Sequence, residues 1–100
     1  MATVSVNTYD QGDVVRLDAI FKVGTTLTDP TTVTLKVKDP AGNTTSHVGV
    51  AGGLSNPSVG LWRRDEPVTV QGEYWYRWEG TGAAQADEEG RFYVRERQVA

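Results

Sequence analysis

The stretch Thr32-Val33-Thr34-Leu35-Lys36-Val37-Lys38 places three branched aliphatics, Val33, Leu35 and Val37, on one parity and Thr34, Lys36 and Lys38 on the other. Successive side chains of a β-strand point to opposite faces, so this alternation reads as a strand with one face on a core and one in water. Asp39-Pro40-Ala41-Gly42-Asn43 follows directly. Pro40 presets φ near −65°, Gly42 accepts a positive φ, and Asp39 has a short carboxylate that can accept from its own downstream backbone. A strand, a turn and a returning strand at 44–50 make an antiparallel pair, with Thr45 and His47 on one parity and Ser46, Val48 and Val50 on the other.

Period-two patterning continues in both directions. Residues 13–23 carry Val15, Leu17, Ala19 and Phe21 on one face, although Val14 and Ile20 leave the other face less polar than usual. In 72–79, Tyr74, Tyr76 and Trp78 alternate with Trp75 and Arg77, while 90–97 sets Phe92 and Val94 against Arg91, Tyr93 and Arg95. With 3–8 and 59–64 added, seven strands are expected, at 3–8, 13–23, 32–38, 44–50, 59–64, 72–79 and 90–97. Between them, 51–58 (with Gly52-Gly53 and Asn56-Pro57), Asp65-Glu66-Pro67 and 80–89 read as loops, the last with room for one helical turn. No longer window keeps an apolar stripe at helical spacing. Short alternating strands between regular turn signals predict an all-β, immunoglobulin-like antiparallel β-sandwich. Within it, Gly72-x-Tyr74-x-Tyr76 fits the corner in which a tyrosine hydroxyl bonds back to the preceding loop. Tyr76 stands where such domains place their second cysteine, so ring packing replaces a disulfide.

The composition sets outer limits. One hundred residues are expected to form a single domain over 1–100, with short tails at 1–2 and 98–100. Hydrophobic residues make up 38% and charged residues 23%, a lean but globular balance. The net charge of −3 argues against broad phosphate neutralisation, and Asp65 and Glu66 offset Arg63-Arg64, so no nucleic-acid partner is expected. The absence of cysteine removes disulfides, thiolate metal sites and thiol nucleophiles. No apolar run approaches the roughly 20 residues of a spanning helix, and the start lacks the order of a secretory signal, so no membrane association is expected.

Catalytic chemistry finds little support. His47, the single histidine, is read as a solvent-facing strand residue beside Lys36. The carboxylate groups Asp65-Glu66 and Asp87-Glu88-Glu89 are read as loop charges, and Asp10 with Asp13 as a turn. Gly52-Gly53 and Gly80-Thr81-Gly82 lack the helix and lysine of a phosphate cradle. The expectation is no enzyme, no cofactor and no metal. Exposed aromatics leave a binding role open: Trp75 and Tyr93 should face outward beside Arg77, Arg91 and Arg95. That arrangement makes either a cation–π ladder or an interaction surface.

A resemblance sharpens the choice. The strings Tyr9-Asp10-Gln11-Gly12-Asp13-Val14-Val15-Arg16-Leu17, Thr28-Asp29-Pro30-Thr31-Thr32-Val33, Gly72-Glu73-Tyr74-Trp75-Tyr76-Arg77-Trp78-Glu79-Gly80-Thr81-Gly82-Ala83 and Glu89-Gly90-Arg91-Phe92-Tyr93-Val94-Arg95 resemble small immunoglobulin-like proteins of tailed bacteriophages. The likeness runs from about Asn7 to Arg95 and departs in 48–58. It implies a non-enzymatic virion protein assembled in the host cytoplasm, a capsid decoration or cement subunit on the major capsid protein. Alternatives are a head–tail neck accessory, or a carbohydrate- or receptor-binding module on the particle surface. Self-association is a further option. The expected protein-interface residues are Trp75, Arg77, Tyr93 and Arg95, with Val4 and Val6 on an edge strand whose free backbone groups invite pairing.

Overall fold

The alternation of 32–38 becomes an inner strand of a five-stranded sheet in the computed structural model, which describes residues 7–84 and 86–96. In chain order the strands are β1 (Asn7–Asp10), β2 (Val14–Ile20), β3 (Lys22–Val23), β4 (Thr26–Leu27), β5 (Thr32–Lys38), β6 (Thr44–Val48), β7 (Ser55–Ser58), β8 (Leu61–Pro67), β9 (Gly72–Thr81) and β10 (Ala86–Arg95). One sheet has the order β1-β10-β9-β5-β6, a second β2-β8-β7, and β3-β4 form a small hairpin. The all-β expectation holds. A short 3₁₀ turn, Val50–Gly52, follows β6.

Both sheets turn branched and aromatic side chains into one shared core. Val15, Leu17 and Ala19 of β2 meet Val33, Leu35 and Val37 of β5, Tyr74 and Trp78 of β9, and Phe92 and Val94 of β10. Trp78 and Phe92 are each 1% exposed, and such rings supply much of the burial available to so small a core. Phe92 stacks on Tyr74 at 4.9 Å and meets Tyr9 of β1 edge-on at 5.8 Å. The corner expected at Tyr74 is present: its hydroxyl donates to the Val70 carbonyl at 3.0 Å. Tyr76 packs half-buried against the core, and its ring lies against Gly90 across the strand pair, where a side chain would collide with it.

The turn at 39–43 also forms as its residues dictate. Gly42 has φ 93°, its amide donates to the Asp39 carbonyl at 3.0 Å, and the Asp39 carboxylate accepts from the Asn43 amide at 2.9 Å.

Several boundaries differ from expectation. The strand at 13–23 breaks after Ile20, where the Phe21 amide donates to the Gly60 carbonyl and its own carbonyl accepts from Thr28. Tertiary partners there displace sheet pairing. Residues 55–58, read as loop, pair irregularly with β8. Asp65-Glu66-Pro67, read as a break, continues β8 opposite Val14, Val15 and Arg16. Pro67 is tolerated because it closes the strand at its end. The loop expected at 80–89 is largely a hairpin, its pairing running from Gly80↔Ala86 onwards. Of the edge strand expected at 3–8, residues 3–6 lie outside the described residues, and Asn7 and Thr8 open β1, an edge strand that pairs with β10 in parallel.

Candidate functional site

Registered cross-strand rows cover the outer face of the five-stranded sheet. Lys38, Trp75 and Arg91 stand side by side on β5, β9 and β10, and Lys36, Arg77 and Glu89 form the next row. Rows on one face of a strand repeat every second residue, about 7 Å apart. Trp75 is 36% exposed and Tyr93 44%, so both face outward as their parity requires.

Trp75 is held rather than free. Its indole Nε1 donates to Glu73 Oε1 at 3.0 Å, and the Arg91 guanidinium lies over the ring, 5.3 Å from its centroid. Glu73 also faces Arg91 Nη1 at 3.6 Å, which closes a three-residue clamp. A ring fixed in this way loses little further freedom on docking. Both features expected of this face are therefore built from one set of residues: a cation–π contact, and an outward aromatic among cations.

Two shallow grooves border the ring. One, about 360 Å³, is lined by Lys36, Lys38, Thr44, Trp75, Arg77 and Glu89, with Tyr76 at its base. The other, about 340 Å³, lies between Trp75, Glu73 and Lys38 and the 39–42 turn.

Arg77 pairs with Asp87 at 2.9 Å and Glu79 at 3.4 Å, and Lys36 with Glu79 at 3.2 Å. The hydrogen bond to Asp87 raises the Arg77 pKa above its ordinary value. Among the described residues Lys38 has no carboxylate partner. Arg95 hydrogen-bonds Asp10 of β1, and that contact raises its pKa likewise. It therefore ties the edge strand down and lines neither groove. The structure thus brings Trp75 and Arg77 together with Tyr93 one row away, and separates Arg95 from them. Val4 and Val6 lie outside the described residues. Sequence reading passed over Lys36, Lys38 and Glu73. Their outward parity was visible in 32–38 and 72–79, but only the strand register sets them beside Trp75.

His47 requires a correction. It does not face solvent beside Lys36: it pairs with Leu35, whose side chain points inward, so His47 turns towards the second sheet. Its Nδ1 lies 3.0 Å from the Gly52 carbonyl and its Nε2 3.5 Å from Glu66 Oε1. Glu66 also faces Arg64 Nη2 at 3.5 Å, while Arg64 Nη1 donates to the Gly53 carbonyl at 3.3 Å. The inner face of β8 thus carries Trp62, Arg64 and Glu66 opposite Ala19, Leu17 and Val15, and a polar bridge joins the two sheets at the β6 side. Among the described residues no three of His, Cys, Asp and Glu gather as a metal site would need.

No family model, curated protein or solved structure matches this chain.

Proposed function

We propose that this chain is a non-enzymatic structural protein of a tailed-phage virion, an immunoglobulin-like sandwich that decorates the capsid by docking on the major capsid protein. Supporting the family reading are the resemblance carried by 9–17, 28–33, 72–83 and 89–95 and two structural features. One is the strand order: β6-β5-β9-β10 beside β2-β8-β7 is the neighbour order of variable-type immunoglobulin sheets. The other is the Tyr74 corner.

The observation that carries the docking role is Trp75, a clamped and exposed ring between two grooves, with Lys36, Lys38, Arg77 and exposed Tyr93 on the same face. Tryptophan, tyrosine and arginine dominate interface centres because they bury large areas with few lost rotamers. The sheet's outer face, rather than an enclosed cavity, is then the working surface.

The test is association with purified particles. The chain should co-purify at a copy number set by capsid symmetry, and Trp75→Ala should abolish association while lowering stability by less than about 1 kcal/mol. A copy number matching the portal would place it at the neck instead. Particles devoid of the chain, together with saturable binding on a glycan array, would replace this reading with the carbohydrate module.

A further inference from the structure

We infer that β2 is a self-complementary edge, along which two copies of this chain pair antiparallel about a two-fold axis at Leu17. β2 belongs to the second sheet, so the inference stands apart from the docking face on the first.

The edge is open. β2 begins the order β2-β8-β7, and among the described residues it has a strand neighbour on one side only. On that side Phe21 donates to the Gly60 carbonyl and the Asp13 carbonyl accepts from Val68, so the odd-numbered residues bond β8. Backbone groups alternate in direction along an antiparallel strand, so Val14, Arg16, Asp18 and Ile20 aim their N–H and C=O groups out of the sheet edge. Sheet edges are ordinarily kept short, bent or interrupted by proline. β1 and β7 have four residues each, β7 with Pro57 and an irregular register, and β6 has five. β2 has seven, in unbroken register with β8 and without proline or glycine.

The order of its residues selects the occupant. Laid antiparallel with Leu17 opposite Leu17, Val14-Val15-Arg16-Leu17-Asp18-Ala19-Ile20 sets Val14 against Ile20 and Arg16 against Asp18, each pair twice. These are also the positions whose backbone groups face out, so the register that matches side chains matches hydrogen bonds as well. Val14 and Ile20 are 62% and 60% exposed, and each covers the other across the junction. Arg16 and Asp18 already pair with Asp65 and Arg63 of β8, at 3.4 and 2.8 Å. A second copy extends those pairs instead of competing with them. One row then runs Asp65, Arg16, Asp18 of the second copy and Arg63 of the second copy, with signs alternating throughout. Sliding to the next hydrogen-bonded registers sets Arg16 against Arg16, or Asp18 against Asp18, and like charges directly opposite repel. One register is left, and it is the isologous contact of a two-fold dimer.

A single strand pair buries less than the roughly 800 Å² per partner of a standard interface, so the dimer is a weak one. Sedimentation equilibrium of the full chain should show it forming reversibly as the concentration approaches ~1 mM. Arg16→Asp and Asp18→Arg each place like charges opposite one another and should weaken dimerisation about tenfold or more. Mixed in equal amounts, the two variants set Asp against Arg at both crossings, so a heterodimer should regain near wild-type affinity. Recovery on mixing cannot arise from lost stability in either variant, so it reads the contact rather than the fold. Register is read by disulfide trapping, because the chain has no cysteine of its own. Val14→Cys mixed with Ile20→Cys should cross-link, and neither should do so alone. A chain that stays monomeric, undiminished dimer in both charge variants, no recovery on mixing, or equal cross-linking of Val14→Cys alone overturns the inference. A monomer whose Arg16 and Asp18 amides resist hydrogen exchange also overturns it, and assigns the edge to residues 1–6 of the same chain.

Discussion

Tyr74 and Gly90 show how single positions hold the aromatic centre together. The Tyr74 hydroxyl satisfies the Val70 carbonyl while its ring stacks on Phe92. Tyr74→Phe keeps the stack and loses the bond, so urea unfolding should show a loss of about 0.5–1.5 kcal/mol. Burial pushes the pKa of Tyr74, and also of Tyr76, above the ordinary 10.0. The fold therefore favours the neutral phenols. Their contribution is complete below about pH 10 and disappears as pH climbs through the raised values. An ultraviolet phenolate titration should show late-ionising components that Tyr74→Phe and Tyr76→Phe remove in turn, and unfolding should accompany them. A titration with every tyrosine ionising together near pH 10 would contradict this. Gly90 lies under the Tyr76 ring, so Gly90→Ala should destabilise by about 1–3 kcal/mol through overpacking, and much less in a Tyr76→Val background.

At the scale of elements, β8 is the least expected strand. Its inward positions, Trp62, Arg64 and Glu66, are not the alternating aliphatics of β2 or β5, yet they line the same interior side. Arg64 and Glu66 succeed there because they face each other and because His47 of β6 and the 3₁₀ turn supply further partners. Glu66→Ala leaves a half-buried guanidinium with one carbonyl, and a loss of about 1–3 kcal/mol is expected. Arg64→Met combined with Glu66→Leu should cost less than Glu66→Ala, because apolar isosteres avoid desolvating two charges. A double-mutant cycle read by thermal unfolding measures this, and additive losses would show that the two side chains do not interact. The same residues explain why the strand expected at 59–64 runs on through Asp65-Glu66-Pro67. Asp65-Glu66-Pro67 has the composition of a turn, and only pairing with β2 makes it a strand.

Across the whole molecule, one core between two sheets implies one unfolding transition. Far-ultraviolet circular dichroism and tryptophan fluorescence should follow coincident curves, as small single-core domains usually do. Trp78→Ala should lower stability by about 3–5 kcal/mol, because the ring is buried between the sheets. The contrast with Trp75→Ala, a loss of less than about 1 kcal/mol, separates scaffold from working surface within a single strand. Reversed magnitudes would mean that the two faces of β9 have been assigned the wrong way round.

The residues themselves determined the class of the fold and the sides of its strands. Val33, Leu35 and Val37 must be buried together, Asp39 to Asn43 must turn, and Trp75 must point away from Tyr74 and Trp78, because a strand's period of two is a local property of the backbone. What tertiary structure alone decided was adjacency. The parallel pairing of β1 with β10, the turn of His47 towards Glu66, and the row of Lys38, Trp75 and Arg91 all depend on which strands lie side by side and in what register. Register comes from summing contacts between segments far apart in sequence, and no local pattern contains that sum.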